Sequence, residues 1–129
     1  MKTTTVWKTG EAFDSTYSNS KIEIDGNAGF SPKALLLTGL SGCTGIDVIG
    51  ILEKMKVPFS EFYVEAEAEQ TDEHPRVFKD IHLVFHVKTG EENRERIKKA
   101  IDLSLEKYCG VAAMLRKNSN IKYEILTSE

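Results

Sequence analysis

The chain has 129 residues, of which 40% are hydrophobic and 29% are charged, the proportions of a soluble globular protein. Its 17 Lys and Arg against 20 Asp and Glu give a net charge of −3, and acids interrupt every basic cluster, so the composition argues against a nucleic-acid partner. The opening MKTTTVWKTGEAF lacks the apolar core and cleavage site of a signal peptide. We therefore expect a cytoplasmic protein.

The first third of the chain predicts a small sheet followed by one long helix. Three short β-rich or alternating segments separated by turn residues indicate an antiparallel meander: residues 3–9, 15–19 and 21–26. Ser31 and Pro32 then open a helix as its N-cap and first helical residue, and this helix runs to Lys54. It is apolar on every side, which is typical of a helix covered on two faces. Because one sheet covers only one face, we expect a second subunit to cover the other.

Residues 34–52 of this helix approach the length of a membrane span. They contain four glycines and Asp47, and a charge at mid-membrane costs at least ~2.5–3.5 kcal/mol. We therefore predict a buried central helix in a protein that has no membrane partner.

The rest of the chain predicts two strands, a helix and a last strand. Residues 61–70 alternate apolar side chains with polar ones, and residues 79–90 alternate with an apolar side formed by Ile81, Leu83, Phe85 and Val87. Residues 92–109 indicate an amphipathic helix with five inward side chains: Ile97, Ala100, Ile101, Leu105 and Tyr108. After a short turn, residues 121–126 form a strand. The order β-β-β-α-β-β-α-β indicates an α+β fold of antiparallel strands around the long buried central helix, in a single domain over residues 1–129.

The most apolar stretch holds a cysteine between glycines, in GLSGCTGIDVIG at residues 39–50. Residues three and four apart share a helix face, so Cys43 and Asp47 lie in one stripe with Leu36, Leu40 and Gly50. Beside this stripe a ridge has no side chains: Gly39, Gly42 and Gly45. Each helical glycine costs about 1 kcal/mol relative to alanine. Either the close approach of another backbone or room for a small ligand beside the sulfur explains such a ridge.

Asp47 and Cys109 are the two residues that we expect to affect the reactivity of Cys43. A carboxylate one turn away would disfavour a thiolate at Cys43. Either Asp47 is paired with an arginine, a lysine or a helix end, or Cys43 is not especially acidic. Cys109 lies on the inner face of the second helix, just before Gly110. At the first turn of the next short helix its thiolate would be favoured. The spacing leaves open whether the two sulfurs meet, and two inert packed thiols are the plainer alternative.

Three segments carry a family resemblance: SPKALLLTGLSGCTGIDVIGIL, EHPRVFKDIHLVFHVKTG and AIDLSLEKYCGVAAML. They resemble the OsmC/Ohr family of thiol-dependent hydroperoxide reductases, and an OsmC-like branch of it most closely, from about Trp7 to Ile125. The resemblance implies an OsmC-like fold, an intertwined homodimer and a peroxidase cycle of oxidative-stress defence. In that cycle Cys43 attacks the peroxide and becomes a sulfenic acid. Cys109 resolves it as a disulfide, and an external thiol or dithiol reductant reopens the disulfide.

The resemblance also implies the ligands of the site. The substrate is a small organic hydroperoxide, for which Trp7, Phe13 and leucines of the central helix would line a pocket. The cycle needs no metal and no organic cofactor. The histidines agree with this expectation, because His82 and His86 lie on a strand without a third ligand at metal spacing.

The sequence departs from the family where the first cysteine is activated. Family peroxidases use an arginine from the N-terminal strands, held by a glutamate early in the central helix. Here no arginine precedes Arg76, the glutamate position is Lys33, and the arginine neighbourhood reads Glu11. A reversed Glu11–Lys33 pair is one alternative arrangement. The alternative function is a non-catalytic, dimeric OsmC-fold protein that binds a ligand or senses redox state.

Overall fold

A computed structural model describes residues 1–129. The chain divides into two compact units, Met1–Leu36 and Leu37–Glu129. The prediction of a single domain over the whole chain stays a prediction.

The first unit contains an antiparallel meander of three strands: β1 (Thr4–Thr9), β2 (Ala12–Tyr17) and β3 (Ser20–Asp25). Trp7, Phe13 and Ile24 stand opposite one another in register, which makes one face of this sheet apolar. The other face is charged, and Lys8 Nζ lies 3.0 Å from Asp14 Oδ1 there. No side chain of the sheet is fully buried within the single chain. The predicted meander is therefore confirmed.

One long helix, α1 (Pro32–Lys54), follows the meander. The Ala34 N–H donates a hydrogen bond of 3.2 Å to Ser31 Oγ, which confirms the predicted N-cap. A single stripe of the helix is fully buried: Leu40, Thr44, Val48 and Leu52. On the opposite side Ile46 is 77% exposed. The chain by itself covers one face of α1, and cover for the second face stays a prediction.

The length and composition of α1 alone would allow it to cross a membrane, with a mean hydropathy of 1.8 over its most apolar 18 residues. Its buried stripe instead packs in the core of the second unit, where the strands pack against it. A core helix of a soluble protein passes the same test of length and composition.

The second unit contains a three-stranded sheet with its longest strand in the centre: β4 (Phe62–Gln70), β5 (Phe78–Lys88) and β6 (Asn120–Ser128). β4 pairs with β5 antiparallel, whereas β6 pairs with β5 in parallel, so the prediction of antiparallel strands is wrong for β6. The parallel pair requires a crossover, which the helices between these two strands provide. The predicted inward side of β5 is confirmed, because Ile81, Leu83, Phe85 and Val87 are all buried.

The crossover consists of a 3₁₀ turn (Glu91–Asn93), α2 (Arg94–Leu103), a π-helical turn (Ser104–Tyr108) and α3 (Gly110–Arg116). The predicted inward side chains Ile97, Ala100, Ile101 and Leu105 are buried. The prediction for Tyr108 is wrong, because its side chain is 55% exposed. The wider π turn places one extra residue in the helical circuit and rotates Tyr108 away from the core.

The hydrophobic core lies wholly in the second unit, between the inner face of the sheet and the helices α1 and α2. Cys109 is a buried member of this core, and Cys43 packs against its edge. The α+β class and the order of elements are confirmed, with α3 as a short additional helix. This packing positions both cysteines at one place in the second unit.

Candidate functional site

The two cysteines lie close together. Cys43, on α1, and Cys109, at the N-cap of α3, are both free thiols, and Cys43 is near enough to raise the pKa of the Cys109 thiol. Cys43 is partly exposed at the edge of the core, whereas only 3% of Cys109 is exposed. The structure therefore brings together the two residues that the sequence singled out, and one of them has access to solvent.

Cys109 is held as a protonated thiol. It occupies the N-cap position of α3, where its Sγ accepts the Ala112 N–H at 3.3 Å. Burial raises the pKa of Cys109 to about 11, the Ala112 N–H partly opposes this, and Cys43 and Asp47 raise it further. Burial therefore has a larger effect on the pKa of Cys109 than the helix N-terminus has. From the sequence alone we expect that N-terminus to favour a thiolate.

A chain of buried hydroxyls lies beside the cysteines. Thr44 Oγ1 is 2.8 Å from Ser104 Oγ, and Ser104 Oγ donates to Asp47 Oδ2 at 2.9 Å. Asp47 is paired, but the predicted partner is wrong, because a hydroxyl of the crossover bonds to it rather than a cation or a helix end. Sequence reasoning missed Thr44 and Ser104. The sequence pattern does not identify them, because a Ser or Thr at an inward helical position looks the same whether or not its hydroxyl has a buried partner.

The glycines of α1 face open space within the chain. A methyl group added at Gly39, Gly42 or Gly50 would meet no atom within 4 Å, and one at Gly45 would make an ordinary contact of 3.7 Å with Phe62. Packing inside one chain therefore does not require them. The sequence offers two explanations for this ridge, the close approach of another backbone and room for a small ligand. Both stay predictions.

Arg116 bonds to the backbone rather than to Asp47. Arg116 donates a hydrogen bond to the carbonyl oxygen of Leu105, within the π turn. In the first unit, the Glu11 side chain lies against Gly26, so that a Cβ there would sit 2.4 Å from its carboxylate. The reversed Glu11–Lys33 pair stays a prediction, as does the pocket lined by Trp7 and Phe13.

The histidines lie on the outer face of the second sheet, away from the thiols. His82 pairs with Glu124 at 3.1 Å, and His86 pairs with Glu65 at 2.5 Å. His86 also stacks on Tyr63, with ring centroids 4.1 Å apart. No group of three His, Cys, Asp or Glu side chains is arranged to hold a metal ion.

A model of a protein family described as OsmC-like protein matches residues 25–124. The chain belongs to the OsmC-like protein family. The protein YhfA of Escherichia coli K12 is 37% identical over 135 residues, covering 99% of this chain and 100% of YhfA. The predicted membership of the OsmC/Ohr family, in the branch typified by YhfA, is thereby confirmed.

Solved structures of OsmC-family proteins share this fold. An OsmC-like protein from Mycoplasma pneumoniae aligns with a TM-score of 0.87 at 17% identity, covering 99% of this chain and 96% of that one. The organic hydroperoxide resistance protein OhrB of Bacillus subtilis aligns with a TM-score of 0.72 at 18% identity, covering 97% and 96%. At these identities the likeness concerns the fold, and it confirms the OsmC-like architecture predicted from the sequence.

Proposed function

We propose that this OsmC-family protein reduces organic hydroperoxides in defence against oxidative stress, with Cys43 as the peroxidatic and Cys109 as the resolving thiol. The observation that carries the proposal is the proximity of the two thiols at the edge of the core, although they come from distant parts of the chain. A structural neighbour, OhrB, is named for resistance to organic hydroperoxides. The cytoplasmic location belongs to the same proposal.

The unequal surroundings of the two thiols support this division of roles. Cys43 is partly exposed, so a hydroperoxide can reach it from solvent. Cys109 is buried, and its pKa of about 11 keeps it protonated at neutral pH, so it is a poor first nucleophile. Part of that raised pKa comes from Cys43 itself. Conversion of Cys43 to an uncharged sulfenic acid removes this contribution and so eases the second step.

The proposed reaction needs only thiols. The Cys43 thiolate attacks the O–O bond of the hydroperoxide, which yields Cys43 sulfenic acid and an alkoxide that takes a proton to become the alcohol. The Cys109 thiol displaces hydroxide from that sulfenic acid, and a disulfide and one water form. Two equivalents of an external thiol, or one dithiol, then return both cysteines to thiols and become a disulfide themselves. Neither a metal nor an organic cofactor takes part.

The proposal includes a homodimer. Ile46 is mostly exposed on α1, and the glycines on the same side have no neighbour within 4 Å, so a second α1 can approach closely there. In the first unit the side chain of Trp7 is 62% exposed. A second copy of the chain would cover this face of α1 and close an apolar pocket for the organic part of the hydroperoxide.

The test is a titration of the reduced protein with cumene hydroperoxide. We expect the loss of two free thiols per protein and a mass loss of two hydrogens, which report an internal disulfide. The chain has only two cysteines, so each Cys→Ser variant leaves a single thiol. Cys43→Ser should not react, and Cys109→Ser should gain one oxygen and stop at the sulfenic acid. A thiol count that stays constant under excess hydroperoxide would refute the activity.

A second candidate function is a non-catalytic binding or redox-sensing dimer. The observation that favours it is the pairing of Asp47 with a hydroxyl, because no cation in that pair offsets the carboxylate beside the thiols. The discriminating measurement is the rate at which Cys43 of Cys109→Ser reacts with iodoacetamide at pH 7. A rate well above that of a free model thiol supports the peroxidase, and a rate at or below it supports the sensor.

A further inference from the structure

One buried residue, Ser104, is bonded to both of the elements that carry the cysteines. Its hydroxyl contacts Thr44 at 2.8 Å and Asp47 at 2.9 Å, both on α1. Its carbonyl oxygen accepts the backbone N–H of Cys109 at 2.7 Å, which closes the π turn. Thr44 and Ser104 are both 0% exposed, so their hydroxyls have protein partners in place of water.

The proton directions in this chain of hydroxyls follow from chemistry. A carboxylate only accepts, and a hydroxyl has one proton to donate. Ser104 therefore donates to Asp47, and Thr44 must donate to Ser104. A hydrogen bond that ends on a charged acceptor is about twice as strong as a neutral one. These hydrogen bonds consequently fix the rotamer of Ser104 as well as its distance from α1.

The residues of this hydrogen-bonded chain lie close in sequence to the two cysteines. Thr44 follows Cys43 directly and Asp47 lies one turn further along α1. The π turn that Ser104 begins ends at Cys109. A slip of α2 along α1 by a single residue would move Cys109 about 1.5 Å past its partner. A disulfide tolerates Cα separations of only ~4.4–6.8 Å, so such a slip matters.

We propose that Ser104, held by Thr44 and Asp47, is the positioning residue for disulfide formation between Cys43 and Cys109. Its part in turnover rests on the proposed function, whereas its effect on the dithiol–disulfide equilibrium does not. Apolar side chains of the same size would fill the same volume but would not specify the register of α2 against α1. The hydroxyl chain supplies that register.

The experiment equilibrates the full-length protein with mixtures of oxidised and reduced dithiothreitol. As the Cys43–Cys109 bond forms, two electrons and two protons pass to oxidised dithiothreitol, which becomes the dithiol. Mass spectrometry after acid quench and alkylation gives the equilibrium constant. Ser104→Ala and Thr44→Val each remove one hydroxyl, and each should lower the constant about tenfold, a shift of about 30 mV for two electrons. Thr44→Ser keeps the hydroxyl and should stay within twofold of the wild type.

Ser119→Ala is the matched control. Ser119 is also buried in the second unit, and its hydroxyl donates to the carbonyl oxygen of Phe78 at 2.7 Å. Its loss should lower the melting temperature without moving the dithiothreitol equilibrium. The inference is overturned if folded Ser104→Ala and Thr44→Val stay within twofold of the wild type, or if Ser119→Ala shifts the constant equally. If Ser104→Ala does not fold, Thr44→Val, which preserves the shape of the side chain, decides alone.

The two proposals fail in different ways. If the wild type forms the disulfide in dithiothreitol but does not react with cumene hydroperoxide, the proposed peroxidase activity is contradicted. The equilibrium constants of the variants then decide the role of Ser104. A wild type that consumes hydroperoxide, with variants of unchanged equilibrium, contradicts the role of Ser104 alone. A wild type that forms no disulfide at any dithiothreitol ratio overturns both.

Discussion

The backbone N–H of Cys109 bonds at 2.7 Å to the carbonyl oxygen of Ser104, five residues earlier in the chain. This bond ends the π turn and turns the Cys109 side chain into the core, while Tyr108 turns outward. The carbonyl oxygen of Leu105 in the same turn accepts a hydrogen bond from Arg116. A local departure from α-helical geometry thus delivers one cysteine to the other.

The first prediction concerns the acidity of Cys109. Burial is the main cause of its raised pKa, with smaller contributions from Cys43 and Asp47. Cys43→Ser and Asp47→Asn should each lower the pKa of Cys109 below about 11, because each removes a group that disfavours the thiolate. It should stay above the ordinary value of 9.0, because burial persists. The pH dependence of Cys109 alkylation, followed by mass spectrometry, measures both effects, and a rise in either variant would contradict this assignment.

The second prediction concerns stability at high pH. The folded-state pKa of Cys109 is raised from 9.0 to about 11, so this group stabilises the fold below pH 9 and loses that contribution as the pH rises to 11. The loss amounts to about 2–3 kcal/mol in the free energy of unfolding. Urea unfolding of the wild type and Cys109→Ala at pH 8 and pH 11 isolates it, because lysine and tyrosine ionisation affects both proteins. Equal losses in the two proteins would contradict the prediction.

The third prediction uses the exposed glycine ridge of α1. Within one chain a methyl group at Gly42 meets nothing within 4 Å, so Gly42→Ala should stabilise an isolated monomer by about 1 kcal/mol. In the proposed dimer the same methyl group would separate two closely packed helices and weaken the association. We therefore expect Gly42→Ala to raise the dissociation constant measured by sedimentation equilibrium. A substitution that stabilises the protein equally at all concentrations would exclude this face as the interface.

The fourth prediction places a charge on the same face. Ile46→Glu should convert the proposed dimer to a monomer, because an unpaired carboxylate buried between helices is costly. Leu126→Glu is the control, since Leu126 is also exposed, on the outer face of the second sheet. Size-exclusion chromatography with light scattering gives the masses of both variants. If both variants are dimers, or if the wild type is a monomer at micromolar concentration, a dimer through this face is excluded.

Most of the fold could be read from local patterns. The alternation of β4 and β5 and the Ser31 cap of α1 were predicted because each depends on residues close in sequence. The parallel pairing of β6 was not, because alternation reports which side of a strand is buried and not the direction of its neighbour. The prediction that Tyr108 points inward was wrong for a similar reason, since a 3.6-residue period assumes that the helix continues without a π turn.

Composition, periodicity and motifs were enough to predict the α+β class, the family and the two cysteines as the candidate pair, because all of these are read from residues along the chain. Three features came only from the packing of the chain: the proximity of the two thiols, the burial that raises the pKa of Cys109, and the bond of Asp47 to Ser104 rather than to a cation. The reason is physical: these contacts join residues more than fifty positions apart. Only the packing of α1 against the crossover determines which side chains meet across that distance.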